Sequence, residues 1–111
     1  MATISNLVID QGTTFSSIIT LTNQDGTSMN LTNYTVKSQF RKSYQTSSST
    51  SFIASIYDAL TGRIRLQLNP SDTTNIRAGR YLYDIELTSV TGEKFRALEG
   101  LVIINPEITK S

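Results

Sequence analysis

The segment Gly79-Arg80-Tyr81-Leu82-Tyr83-Asp84-Ile85-Glu86-Leu87 constrains this chain more than any other stretch. Tyr81, Tyr83, Ile85 and Leu87 fall on one side of an extended backbone, and Arg80, Leu82, Asp84 and Glu86 on the other. Period-two alternation with one apolar side is the pattern of a strand in a half-buried sheet, because successive side chains of a pleated strand point to opposite faces. The preceding residues, 69–78, are rich in Asn, Pro, Ser, Asp and Thr. They predict a short turn or a single helical turn that hands the chain from one sheet to another.

The rest of the chain repeats this grammar. Residues 4–9 form a short apolar run that ends at Asp10-Gln11-Gly12. Residues 13–22 alternate, and Ile18 makes that strand apolar on both sides, which suits a central position in a sheet. Asn23-Gln24-Asp25-Gly26 carries the Asp-Gly pair of a tight hairpin. Leu31, within the polar corner 29–33, is expected to plug one end of the core. Residues 34–41 alternate again. Residues 42–51 are a Ser/Thr-rich segment that reads as a mobile surface loop. Residues 52–57 and 63–69 are two strands around the turn 58–62, and residues 95–104 form the last strand after the turn 89–92. A glycine inside that strand, Gly100, suggests a bulge there. Pro106 cannot continue a ladder, so residues 105–111 form a C-terminal tail.

Seven short alternating strands with turn signals about every ten residues predict an all-β fold. Over residues 1–111 they fit a single domain, a two-sheet, immunoglobulin-like antiparallel β-sandwich. The inner faces are expected to hold Phe15, Ile19, Leu21, Val36, Phe40, Ile64, Leu66, Leu68, Tyr81, Tyr83, Ile85, Phe95, Leu101 and Ile103. In such a sandwich a tyrosine near the start of the sixth strand bonds its hydroxyl back to the preceding corner. Asp72 begins a corner, Gly79 opens the strand and Tyr81 follows, so these residues have structural roles. Tyr83 takes the place that a cysteine holds in antibody domains.

Composition narrows the chemistry. The 111 residues contain no Cys, no His and no Trp, and the net charge is +1. No thiolate, disulfide or imidazole is available, which removes the usual nucleophile, general base and zinc ligands. A near-neutral balance provides no electrostatic footprint for nucleic acid or an anionic membrane. Ser and Thr make up about a quarter of the residues, which solvates strand faces and turns without many charges. No basic leader or membrane-length apolar run is seen, so no signal peptide and no membrane partner are expected.

Candidate sites are few. No catalytic residue, metal site or cofactor is expected. Asp84 and Glu86 share one strand face and could serve acid–base work or calcium, but outward-facing strand charges account for them more simply. Arg63, Arg65, Arg77 and Arg80 flank the 70–79 corner and could meet an acidic partner; the plainer reading is a solvated face balanced by Asp72, Asp84 and Glu86. Asn30-Leu31-Thr32 and Asn33-Tyr34-Thr35 match the glycosylation pattern, a chance match where no secretion signal exists. The loop and the tail have no place in the core. Tyr44, Arg63, Arg65, Pro106 and Ile108 are therefore the candidate interface residues, with the tail expected to dock on a neighbour.

Several motifs carry a resemblance that runs nearly the whole chain: Asp25-Gly26, residues 30–35, Gln39-Phe40-Arg41, the Ser71-Asp72-Thr73-Thr74 corner, Ala78-Gly79-Arg80-Tyr81-Leu82-Tyr83-Asp84-Ile85, Leu98-Glu99-Gly100-Leu101-Val102-Ile103 and Pro106-Glu107-Ile108-Thr109. The chain resembles small immunoglobulin-like virion proteins of tailed bacteriophages. It is similar to the N-terminal domain of the phage baseplate upper protein family, most specifically in the Ala-Gly-Arg-Tyr-x-Tyr-Asp segment. The resemblance implies a non-enzymatic virion part whose partners are other virion proteins and copies of itself. With no coiled coil or receptor-binding module following the domain, it implies a tail, baseplate or neck accessory component, or a capsid decoration protein. The alternative from another class is a carbohydrate- or calcium-binding β-sandwich module.

Overall fold

The structure, a computed structural model, describes residues 3–4, 6–43 and 49–107. Two β-sheets pack face to face. Their strands run in chain order as β1 (Thr3–Ile4), β2 (Leu7–Asp10), β3 (Phe15–Thr20), β4 (Thr35–Arg41), β5 (Thr50–Ser51), β6 (Ile53–Asp58), β7 (Arg63–Leu68), β8 (Gly79–Thr88) and β9 (Lys94–Asn105). A one-turn helix, α1 (Pro70–Thr74), joins β7 to β8. One sheet has the order β3-β7-β6. The other has six strands in the order β1-β9-β8-β4-β5, with β2 also on β9. This division, with β7 central in one sheet and β8 central in the other, is the immunoglobulin-like sandwich that the alternation predicts.

The sheets depart from the expectation in four ways. The first strand is two pieces, β1 and β2, and both run parallel to β9, so the larger sheet is mixed rather than antiparallel. Because the N-terminal strand joins that sheet, β3 has β7 as its one partner strand among the described residues and lies at an edge. The apolar Ile18 had suggested a central position; it instead faces solvent, 46% exposed. A further short strand, β5, pairs with Gln39 and Phe40, inside the segment expected to be loop throughout; residues 44–48 lie outside the described residues. Gly100 is regularly paired with Tyr83, and the bulge falls earlier, where Ile85 faces Leu98 but Glu86 faces Arg96.

That bulge changes which residues of β9 are inside. One extra residue in a strand shifts the parity of every side chain beyond it. Phe95, opposite Leu87, keeps the parity expected for the core, although it is 40% exposed at the sheet end against Tyr34. Past the bulge Leu98, Val102 and Ile104 are buried. Leu101 and Ile103, expected inside, face outward.

Between the sheets, Ile9, Leu31, Ile64, Leu66, Leu68, Ile85 and Leu87 are fully buried. Phe40 centres an aromatic cluster, 5.0 Å from Phe52 and 5.5 Å from Tyr81 between ring centroids. Phe52 sits where the chain leaves β5 and enters β6, so one buried ring bridges the two layers. Burying each such side chain contributes about 1.5–3 kcal/mol, which replaces the staple that a disulfide supplies in antibody domains.

Candidate functional site

The corner before β8 is built as its sequence implies. Asn69 precedes α1 with an extended backbone, Pro70 occupies the first turn, and the Asp72 carboxylate accepts the Asn69 N–H at 3.2 Å. A carboxylate three residues into a helix can return to that amide, one of the donors a helix start leaves unpaired. Thr73 is completely buried and donates its hydroxyl to the Thr13 carbonyl at 2.7 Å, tying the corner to the β2–β3 connection. Gly79 opens β8 with φ 144°, and a Cβ there would come within 2.9 Å of Lys42 Nζ. Tyr81 donates to the Arg77 carbonyl at 2.7 Å, its ring edge-on to Phe40 and under the Lys42 ammonium. Tyr83, two residues on, is buried in the core.

With that frame set, the outer face of the six-stranded sheet is the surface with the most chemistry. Strand register arranges it in rows. Val8 stands beside Ile103, and Ile103 beside Arg80. The next row is Leu101, Leu82 and Arg41. Below it come Glu99, Asp84 and Gln39, then Arg96, Glu86 and Lys37. Val8 is 58% exposed and Ile103 37%, and the half-buried Leu101 and Leu82 extend them into one apolar strip. Beside the strip, Arg96 bonds both Asp84 (3.1 Å) and Glu99 (3.2 Å). An open groove of about 430 Å³ runs over the charged rows, lined by Lys37, Gln39, Arg41, Leu82, Glu86 and their neighbours. Asp84 thus serves Arg96, not the arginines of the corner.

Other candidate residues lie elsewhere. Arg63 is exposed on β7, paired in register with Thr20 and Asp58. Arg65 lies on the same outer face and covers the Tyr57 ring at 4.6 Å. These two arginines belong to the three-stranded sheet, so the structure does not bring them together with the strip. Pro106 is exposed just past the end of β9. The tail does not leave the molecule there. The Gln11 side chain accepts the Glu107 N–H at 3.0 Å and donates to the Ile76 carbonyl at 2.9 Å, holding the tail and the corner on the same chain. The tail is thus bonded to its own chain as far as Glu107; Tyr44, Ile108 and the remainder of the tail expected to dock on a neighbour lie outside the described residues.

Among the described residues, no group of three or more His, Cys, Asp or Glu side chains is placed to hold a metal ion. The Asn30 side chain accepts the Thr32 N–H and hydroxyl, closing a turn within the glycosylation-like triplet. Asp25 does the same for Thr27, and those bonds hold its carboxyl below the usual aspartate value.

The apolar strip was half legible. Leu82 reads as outward from the alternation of β8. Leu101 and Ile103 do not, because only the bulge reverses their side.

The chain matches no model of a known protein family and no curated protein. Among solved structures it is similar to an internalin-like protein of Listeria monocytogenes, at 14% identity and a TM-score of 0.47, over 96% of this chain and 28% of that one. The chain therefore spans little more than a quarter of that structure's length. Function does not transfer at that level of similarity.

Proposed function

We propose that this chain is a non-enzymatic structural protein of a bacteriophage virion, a tail, baseplate or neck accessory component or a capsid decoration protein. It works by packing against other virion proteins and copies of itself in a symmetric assembly. The observation that carries the packing role is the strip Val8–Ile103–Leu101–Leu82 on the outer face of the six-stranded sheet. Single exposed apolar residues are ordinary on a protein surface, but a contiguous group rimmed by polar side chains is the usual anatomy of a protein contact. Its rim supports the same reading. The cations Lys37, Arg41, Arg80 and Arg96 alternate with Asp84, Glu86 and Glu99. A mixed lattice selects a partner surface of matching pattern rather than a polyanion.

The virion setting rests on the sequence resemblance centred on residues 78–85 and 98–103. A rigid sandwich suits it, because many weak, identical contacts in a symmetric particle add to firm attachment. The test is mass spectrometry and electron microscopy of purified particles from a phage that encodes this chain. The expected result is the chain present in multiple copies per particle, lost from particles when Ile103 is replaced by Lys. Particles that contain none of it would overturn the proposal.

A further inference from the structure

We infer that a second copy of this chain pairs with the first along β3, antiparallel across a twofold axis centred on Ile18, joining the two three-stranded sheets into one. This deepens the reading above at a single point, the contact between copies, and rests on that reading only there.

The argument begins with the edges. A strand at the edge of a sheet presents unpaired N–H and C=O groups, and natural proteins guard them with charges, prolines, bulges or short length. Three of the edges here are guarded. β5 has two residues, and the end of β4 that it leaves uncovered carries the exposed charge of Lys37. On the β1/β2 edge, β1 has two residues and β2 four, ending in the charge of Asp10. β6 ends in Asp58 and carries a register break beside it. β3 has none of these devices. Its six residues, Phe-Ser-Ser-Ile-Ile-Thr, include no charge, proline or glycine, and its pairing with β7 is unbroken.

Backbone direction shows which groups are on offer. Leu21 donates its N–H to Gly62, at the end of β7. Since alternate residues of a strand aim their amides to the same side, Ile19 and Ser17 also face β7. Ser16, Ile18 and Thr20 therefore aim their N–H and C=O groups away from it. All three residues are exposed, and β7 is the one strand paired with β3 among the described residues.

The occupant follows from self-complementarity. An isologous contact requires the same patch to fit itself. With the axis at Ile18, the outward amides and carbonyls of one β3 meet those of the other. Ile18 then faces Ile18 of the second copy, and Ser16 faces Thr20; aliphatic pairs and Ser/Thr pairs are both favourable across strands. No charge on either strand is brought against its like. The nearest cations, Arg63 and Arg65, lie one strand back, so the two sets are about 14 Å apart across the joint, beyond the screening length of about 8 Å at physiological salt. Because the other edges are guarded, pairing stops at two copies and no fibre grows.

The test is amide exchange and sedimentation of the full chain at low and high concentration. The expected result is a reversible dimer in which the Ser16, Ile18 and Thr20 amides become protected at least tenfold as concentration rises. Ile18→Lys and, separately, Thr20→Lys should then give a folded monomer that melts at every concentration as the parent does at low concentration. A chain still monomeric at about 1 mM, which corresponds to a very weak contact, would overturn the inference. So would a dimer or fibre in which those three amides exchange as freely as in the monomer. Ile103→Lys separates this contact from the proposed packing face: it should leave the dimer intact while abolishing incorporation into particles, and its breaking the dimer with those amides unprotected would place the copy-to-copy contact on the wrong sheet.

Discussion

The hydroxyl of Tyr81 donates to the backbone carbonyl of Arg77 across 2.7 Å, closing the corner between α1 and β8 with one side chain. The same ring packs edge-on to Phe40 and beneath Lys42. Corner, core and neighbouring strand are thereby referred to a single residue, and β8, the strand shared by β4 and β9, starts in a defined place.

Tyr81→Phe keeps the ring and removes the bond. It should lower unfolding free energy by about 0.5–1.5 kcal/mol, the net worth of one hydrogen bond, read as a shift in urea midpoint with an unchanged slope. No shift would mean that the corner is held by packing alone.

Thr73→Val removes a buried hydroxyl while keeping its volume nearly unchanged. The Thr13 carbonyl loses that donor, 2.7 Å away, so a loss of about 1–3 kcal/mol is expected. Equilibrium unfolding measures it, and exchange at residues 13 and 14 should quicken with it.

Gly62 and Gly26 both adopt positive φ, at 71° and 87°. Around Gly26 a Cβ would meet nothing within 4 Å, whereas at Gly62 it would be driven into the Leu21 carbonyl and lie 2.8 Å from that of Met29. Gly26→Ala should therefore cost only the left-handed backbone term, about 1–2 kcal/mol. Gly62→Ala adds a steric term of about 1–3 kcal/mol. Equal losses in thermal or urea unfolding would contradict the close approach at Gly62.

Ile85 is fully buried between the sheets. Ile85→Asp removes its packing, worth about 2–5 kcal/mol on the scale of truncation to Ala, and leaves a carboxylate without a partner. Against a total stability of about 5–15 kcal/mol for a domain, the variant should show no cooperative thermal transition. A two-state melt near that of the parent would refute the two-layer core.

Asp25 offers a pH signature. Its carboxylate accepts the Thr27 hydroxyl at 2.6 Å and the Thr27 N–H at 3.0 Å, and the hydroxyl is the larger cause of its lowered pKa. A carboxyl whose folded pKa lies below its unfolded value stabilises the fold above the unfolded value, and that contribution is lost as pH falls through the folded pKa. An NMR titration should place Asp25 below the ordinary 3.8. Thr27→Val should move it back up, and a midpoint insensitive to Thr27 would remove the turn bond from the account.

Local features of this chain were readable because they are local in origin. Alternation in residues 34–41, 63–68 and 79–87 reports which faces are apolar, and each became a strand with those faces as expected. Asp25-Gly26, Thr61-Gly62 and Thr91-Gly92 announced turns because only glycine meets their positive φ without cost. The bond from Tyr81 to its corner spans four residues. No such short-range signal tells the chain which sheet residues 7–10 will join, since their apolar run fits either. Their choice of β9 made the larger sheet mixed and left β3 at an edge. Nor does a two-residue repeat announce the extra residue near Ala97, which turns Leu101 and Ile103 outward and creates the exposed strip. Backbone periodicity is set by neighbours along the chain and so is written in the residues themselves. Partner choice, register after a bulge and the identity of the open edge depend on contacts some ninety residues apart, such as Val8 with Ile103, and exist only once both layers have closed.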